Sequence, residues 1–223
     1  MGTYALRSIP WPLVVVGGIL VLVLVRVLAT DPWVLWPLQG TAVGLVAGGA
    51  GWCLDEVSAD VVDTAPRGLV WRTTARLPGV AVVLAAWSVA VVWNADALFA
   101  HAWQVWFQGV VAALVTVAWV TGRRAWGAAT PGRSWATAVV PLVTAWALGH
   151  PGDEELPVFP YAAPDDVWAA STLGWAAAGA VAALVLVAVL ADVRWWTWRG
   201  VPVTPASRRS SKECRKQPSK EEP

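Results

Sequence analysis

Residues 176–191 of the chain read AAAGAVAALVLVAVLA, without a charged or hydrogen-bonding side chain. They form the centre of a longer apolar run over residues 167–191. A helix of about 20 apolar residues crosses the hydrocarbon core of a bilayer, which is about 30 Å thick. Because backbone amides in lipid must be hydrogen-bonded within the segment, a continuous run of this kind favours a helix. The stretch therefore predicts a transmembrane helix and an all-α membrane protein.

Five further apolar runs have a similar character, and the last of them is the shortest. They cover about residues 11–30, 33–54, 77–97, 99–121 and 134–149. The composition agrees, because 57% of the residues are hydrophobic and 14% are charged, whereas about 25% are charged in soluble domains. We therefore predict a polytopic membrane bundle of six transmembrane helices surrounded by the lipid bilayer.

The positive charges of the chain alternate between the connections. Of the 16 Lys and Arg residues, all but Arg26 lie before the first run, between the second and third, between the fourth and fifth, or after the sixth. The remaining connections have no Lys or Arg, and Asp31, Asp96 and the acidic residues between 153 and 166 lie in them or beside them. Basic residues accumulate on the cytoplasmic side of membrane proteins. This pattern predicts a multi-pass protein of the cell inner (plasma) membrane with both ends in the cytoplasm.

The last part of the chain differs from the rest in composition. Residues 1–192 form the predicted transmembrane domain, and residues 193–223 a cytoplasmic tail. The tail begins with RWWTWR at 194–199, whose indoles and arginines suit the headgroup layer, and it ends in a Ser-, Lys- and Glu-rich stretch that predicts disorder. Its basic residues favour attraction to anionic lipids over nucleic-acid binding, so we expect no nucleic-acid partner.

Polar side chains inside the apolar runs are candidates for function, because they are costly in lipid. His101, Gln104 and Gln108 recur at i, i+3 and i+7, which places them on one face of the fourth predicted helix. This polar stripe would either line a polar pathway or hold helices together by hydrogen bonds. Arg26 would pair with Asp31 or reach the headgroups. The other polar residues of the runs are Asn94 and Asp96.

A row of glycines marks the second run. Gly40, Gly44 and Gly48 are spaced by four residues and so share one helix face, which lets two helix backbones approach closely. A similar row of small residues, Ala170, Gly174 and Ala178, lies in the sixth run. Two interpretations stay open for the glycine row: helix packing inside one bundle, or a seam between two copies of the protein.

No motif for catalysis, cofactor binding or metal binding is present in the sequence. HExxH, GxSxG, CxxC and a Gly-rich loop ending in GK[ST] are all absent. His150 precedes an acidic, Pro-rich connection, but its spacing matches no known ligand pattern. We expect no enzyme activity, no cofactor and no metal, and any ATP-driven work would need a separate protein.

The connection between the second and third runs, LDEVSADVVDTAPRGLVWRTTARL at 54–77, is longer than a turn requires. Residues 55–64 predict a short helix along the membrane surface, ended by Ala65-Pro66. This helix would be either an interfacial segment whose acidic residues pair with nearby arginines or a docking helix for a cytoplasmic partner. The docking candidates are Glu56, Val57, Asp60, Val61 and Asp63.

This opening LDE, followed by Thr-Ala-Pro and arginines before an apolar run, resembles the loop of small actinobacterial ABC-transporter membrane proteins. The layout of six spans with both ends inside is similar to that of exporter-type ABC permeases of the second class. The resemblance implies a coupling helix over residues 55–66 and a permease subunit that forms a homo- or heterodimer and binds a separate cytoplasmic ATPase. The alternative function is a non-transporting membrane scaffold or accessory subunit.

Overall fold

A computed structural model describes residues 9–55, 68–149, 157–160 and 163–198 of the chain, with side chains up to residue 191. Of these residues 85% are helical and none lies in a strand, which confirms the all-α prediction. The α-helices of the described ranges are α1 (Trp11–Leu28), α2 (Pro32–Leu35), α3 (Pro37–Leu54), α4 (Leu69–Thr74), α5 (Leu77–Trp93), α6 (Ala102–Ala125), α7 (Pro131–Gly149) and α8 (Asp165–Trp198). A short 3₁₀ helix, Ala95–Leu98, precedes α6.

The second apolar run is divided into two helices. Pro32 is the first residue of α2 and Pro37 the first of α3, and proline favours the first turn because it lacks the N–H that would be unpaired there. The Asp31 carboxylate caps α2 by accepting the Val34 N–H at 3.3 Å. The continuous helix predicted over 33–54 is therefore replaced by a short helix and a longer one.

Four helices of the described ranges are long and apolar enough to cross a membrane. They are Trp11–Leu28, Leu69–Trp93 (α4 together with α5), Ala102–Ala125 and Asp165–Ala191. This supports the prediction of a membrane protein. The helices α3 and α7 are not among these four, and α3 is rich in glycine.

The position of α3 explains its composition. It packs against α1, α5, α6 and α7, and most of its residues are buried. A helix enclosed by other helices gains from small residues that allow close approach, whereas bulky apolar side chains are needed only where lipid is the neighbour. Local hydropathy is therefore low in the helix at the centre of the bundle.

The helix α8 has the opposite surroundings. It packs mainly along α6, and its other faces expose large apolar side chains such as Leu173, Leu184 and Val187. With 34 residues it is about 51 Å long. Its composition suits contact with lipid along most of its circumference.

The seam between α5 and α6 is interlocked by two tryptophans. Trp87 is fully buried and its indole N–H donates to the Trp106 carbonyl at 3.0 Å. The Trp106 indole N–H donates in return to the Ser88 hydroxyl at 2.9 Å. A Cβ atom on Gly109 would lie 2.2 Å from Trp87 Nε1, so only glycine leaves room for this indole.

One end of the bundle, called here the Asp55 end, brings together the start of α1, the end of α3 and the starts of α5 and α7. A Cβ atom on Gly79 would lie 3.0 Å from Ile9 Cγ2 and 3.1 Å from Cys53 Sγ. The Asp55 carboxylate contacts the Gly132 N–H at 2.7 Å. Segments far apart in sequence thus meet at this end.

The opposite end, called the His101 end, holds the remaining connections. The Arg26 guanidinium near the end of α1 donates to Asn94 Oδ1 at 3.2 Å, just after α5. His101, before α6, lies 3.6 Å from the Asp165 carboxylate at the start of α8. The long helices α1, α3, α5, α6, α7 and α8 therefore alternate in direction along the chain.

Candidate functional site

The glycine row of α3 faces α7 of the same chain. A Cβ atom would lie 2.5 Å from Ala147 Cβ if placed on Gly40, 3.4 Å from Val140 Cα if placed on Gly44, and 3.0 Å from Val140 Cγ2 if placed on Gly48. The two backbones can approach this closely because the three residues have no side chain. This face makes its close contacts with α7 inside the bundle, which agrees with the packing interpretation, and Gly48 also lines a groove shared with α1. The seam between two copies stays a prediction.

The small-residue row of α8 has no such partner among the described residues. Ala170, Gly174 and Ala178 line an open groove of about 350 Å³ beside Pro157 and Val158. A Cβ atom on Gly174 would meet no atom within 4 Å. The two rows that looked alike in sequence therefore have different surroundings.

Gln108 of the predicted polar stripe belongs to a buried hydrogen-bond network. It is 2% exposed, and its Oε1 accepts from Gln39 Nε2 at 2.8 Å. Its amide donates to the Val158 carbonyl at 3.5 Å, which also accepts from Trp175 Nε1 at 2.9 Å and from Ser171 Oγ at 3.2 Å. The network joins α3, α6, α8 and residues 157–160 near the His101 end.

His101 makes a separate set of contacts. It lies just before α6, its ring stacks on Trp168 with centroids 4.4 Å apart, and its Nε2 lies 3.6 Å from Asp165 Oδ1. Buried His101 Nδ1 and Trp168 Nε1 have no hydrogen-bond partner within the described part of the chain. Two residues with left-handed backbone, Phe99 (φ 51°) and Ala100 (φ 64°), bring the chain to this position.

Gln104 lies between these two groups in sequence and is half-buried. Among the hydrogen bonds of the described residues, none joins its side chain to His101 or to Gln108. Gln104 and Gln108 lie within α6, whereas His101 precedes that helix, so the predicted stripe of three residues on one helix is not formed. The structure places Gln108 in a packing network and His101 against α8.

Arg26 has a different partner from the one expected. Its guanidinium donates to Asn94 Oδ1 at 3.2 Å, and Asn94 Nδ2 donates to the Ala90 carbonyl at 2.8 Å. Asp31 is used instead as the cap of α2. Asn94 is buried, so its pairing with Arg26 links α1 to the end of α5.

At the other end, Asp55 and Arg76 form a clasp between three helices. Asp55 Oδ1 accepts the Gly132 N–H at 2.7 Å and Oδ2 accepts the Arg133 N–H at 2.5 Å, which pairs two of the unsatisfied donors at the start of α7. The buried Arg76 guanidinium donates to the Leu54 carbonyl at 2.8 Å and to the Asp55 carbonyl. The end of α3 is thus held to the starts of α5 and α7.

The charge of Asp55 is influenced by opposing effects. Burial raises the pKa of its carboxyl above the usual value of 3.8, and this is the largest effect. The N–H groups of Gly132 and Arg133 and the positive charges of Arg124 and Arg76 act in the opposite direction. The net result is a raised pKa, so the ionised form of Asp55 is stabilised less in the folded protein than in water.

The predicted docking segment follows Asp55 directly in the sequence. Its candidate residues, Glu56, Val57, Asp60, Val61 and Asp63, lie outside the described residues, as do His150 and the tail beyond residue 198. Asp55 itself is extended (φ −72°, ψ 148°) and ends α3, so the predicted helix does not include it. The described chain resumes at Gly68, which directly precedes α4.

Sequence reasoning did not single out Gln39 or the capping role of Asp55. Gln39 sits beside Gly40 in the glycine-rich run, and a glutamine in a membrane helix needs a hydrogen-bond partner because its amide is otherwise costly to bury. This need for a partner was the sequence signal that could have identified Gln39. Nothing in the local sequence indicates that Asp55 reaches α7, because the two lie 77 residues apart.

Comparison with family models, with curated proteins and with solved structures finds no match. Within the described ranges, no group of three or more His, Cys, Asp or Glu side chains is arranged to hold a metal ion. The clasp, the packing network and the exposed helix α8 are the features of the described residues that bear on function.

Proposed function

We propose that this chain is a six-span protein of the plasma membrane with both ends in the cytoplasm. The spans would be α1, α2 with α3, α4 with α5, α6, α7 and α8. The alternating helix directions support this arrangement. The Asp55 end would be cytoplasmic, because Arg72 and Arg76 precede α5, Arg123 and Arg124 end α6, and Arg133 begins α7.

We further propose that the chain is the permease-like membrane subunit of an ABC-type exporter, driven by a separate cytoplasmic ATPase. The observation that carries this proposal is the clasp of Asp55 and Arg76. It holds together described residues on either side of residues 56–67, since Asp55 precedes that segment and Arg76 follows it. A partner bound at this segment would therefore transmit force to the end of α3 and the starts of α5 and α7.

The clasp suggests how such a partner would move the helices. A displacement at residues 56–67 would reach α3 through the chain itself, α7 through the Asp55 carboxylate, and α5 through the Arg76 guanidinium. Because α3 packs against α1, α5, α6 and α7, its shift would alter most of the helix contacts. Closure of the ATPase would be converted into rearrangement of the bundle in this way.

A second function, a non-transporting scaffold for other membrane subunits, is favoured by one observation. The helix α8 exposes most of its apolar surface and an open groove beside Gly174, which suits a neighbouring transmembrane helix. A scaffold would bind membrane subunits and would not need a nucleotide-hydrolysing partner. Detection of an ATPase partner therefore distinguishes the two functions.

The test is affinity purification of the full-length protein from native membranes, followed by identification of bound proteins by mass spectrometry. The wild type should retain a Walker-motif ATPase. The triple variant Glu56→Lys, Asp60→Lys, Asp63→Lys should lose it, because three reversed charges disrupt a docking surface. A matched variant, Asp153→Lys, Glu154→Lys, Glu155→Lys, reverses three charges in the predicted outer connection and should retain the ATPase. An unchanged complex in the docking variant would refute the docking role.

Reporter fusions test the topology independently. A reporter fused near Ser210 should remain in the cytoplasm, and one inserted at Glu154 should be exported. Export at Ser210 or retention at Glu154 would overturn the six-span arrangement.

A further inference from the structure

A groove of about 240 Å³ runs between α1, α3 and α7 on the surface of the bundle. Its walls are almost entirely apolar, with Leu13 and Leu20 from α1, Leu45 from α3 and Val140 from α7. Gly17 also lines it, and a Cβ atom on that residue would meet no atom within 4 Å. The groove is thus open along α1.

The groove follows one half of the bundle. Along α3 it extends from Leu45 to Trp52, a distance of about 10 Å, which is most of one leaflet of a hydrocarbon core about 30 Å thick. Trp52 lines it at the Asp55 end. An apolar chain lying in the groove would start at the headgroup layer and end near the middle of the bilayer.

A positive charge lies at the Asp55 end of the groove. The Arg133 guanidinium lies over the Trp52 ring, 5.6 Å from its centroid, and the Arg133 side chain is exposed. Stacking on an indole leaves the N–H groups at the edge of the guanidinium available for an anion, because the contact uses only its face. The nearest described carboxylate is that of Asp55, whose two oxygens already accept the N–H groups of Gly132 and Arg133.

An apolar slot that ends at an arginine matches the shape and charge of an anionic phospholipid. We propose that this groove binds one acyl chain of such a lipid and that Arg133 binds its phosphate, with Trp52 at the boundary between the two. The assignment rests on the proposed placement of the bundle in the membrane. Arginine suits this task because its planar fork of donors fits phosphate oxygens.

Arg123 provides a matched control within the same chain. Its guanidinium also lies over an indole, that of Trp119, at 5.9 Å from the ring centroid, and its side chain is also exposed. Trp119 does not line the groove. A general attraction of basic residues to anionic lipid would act equally on both arginines, whereas a site in the groove would depend on Arg133.

The experiment measures lipid binding to the purified full-length protein by native mass spectrometry, with phosphatidylglycerol and phosphatidylcholine of identical chains as probes. The wild type should bind phosphatidylglycerol more tightly. Arg133→Gln should weaken phosphatidylglycerol binding by about fivefold, as expected for one basic residue at the membrane surface, and Arg123→Gln should leave it unchanged. Gly17→Leu should weaken binding of both lipids, because the added side chain enters the groove.

Three results would overturn the lipid site: equal binding of the two lipids by the wild type, an equal loss in the two arginine variants, or normal binding by Gly17→Leu. Circular dichroism and gel filtration verify that each variant is folded before its binding is interpreted. Binding in detergent does not depend on an ATPase, so failure here leaves the exporter proposal standing. Conversely, loss of the ATPase interaction would leave the lipid result unaffected.

Discussion

Replacement of Gln108 by leucine tests whether the polar stripe serves packing. The substitution removes the acceptor that Gln39 Nε2 contacts at 2.8 Å, and Gln39 is 7% exposed. One buried donor is therefore left without its partner. The Val158 carbonyl is less affected, because it keeps its hydrogen bonds from Trp175 and Ser171.

The magnitude follows from that single orphaned group. An unsatisfied buried donor costs about 1–3 kcal/mol, although hydrogen bonds between membrane helices average about 0.6 kcal/mol. We expect Gln108→Leu to lower the free energy of unfolding by about 1–2 kcal/mol, since leucine recovers part of the loss by apolar burial. The double variant Gln39→Leu, Gln108→Leu should lose less than the sum of the two single variants, because no amide remains unpaired.

The assay is a double-mutant cycle measured by unfolding in mixed detergent and dodecyl sulfate micelles. The sum of the two single-variant losses should exceed the loss in the double variant by an interaction energy of about 1 kcal/mol. Gln104→Leu is the matched control on the same helix face, and its effect should stay within about 0.5 kcal/mol. Additive losses for the Gln39–Gln108 pair, within about 0.5 kcal/mol, would refute the view that the two amides stabilise the bundle through each other.

Two further predictions concern the seam of α5 and α6 and the clasp. Gly109→Ala should destabilise the protein by about 3 kcal/mol, near the upper range for overpacking, because its Cβ would lie 2.2 Å from the buried Trp87 indole. Gly174→Ala should raise stability slightly, because its Cβ would meet no atom within 4 Å. Equal melting temperatures for the two variants would contradict this prediction. Because burial raises the pKa of Asp55, its protonation stabilises the fold, an effect fully present below the unfolded pKa of about 4 and lost as the pH rises through the raised pKa. The melting temperature of the wild type should therefore increase relative to Asp55→Asn between about pH 7 and about pH 4, and a constant difference across that range would argue against a raised pKa.

The sequence was a good guide to the helices that face lipid. The runs at 11–30 and 167–191 correspond closely to α1 and to the apolar part of α8, because bulky side chains in contact with lipid leave a strong local signal. The run at 77–97 was placed correctly, but the structure adds α4 before it and ends α5 at Trp93. The fourth run is displaced by a few residues, since α6 begins only after the left-handed turn at Phe99 and Ala100.

The packing partners were harder to predict, because they depend on segments distant in sequence. The glycines of α3 indicated a close helix contact but not that α7 would make it. Gln108 was recognised as polar, yet its partner Gln39 lies 69 residues away. Asp55 was assigned to a surface helix, but its carboxylate accepts backbone N–H groups at the start of α7. Local residue spacing carries no information about such a cap.

The length of α8 sets a limit on how it can sit in a bilayer. A rod of about 51 Å would fit inside an apolar layer of about 30 Å only with a tilt of about 54°, beyond the range of about 0–40° seen for membrane helices. In the proposed topology, part of α8 therefore extends beyond the hydrocarbon layer. Its last residues would then span the thickness of the headgroup layer, where the sequence RWWTWR predicts an interfacial anchor.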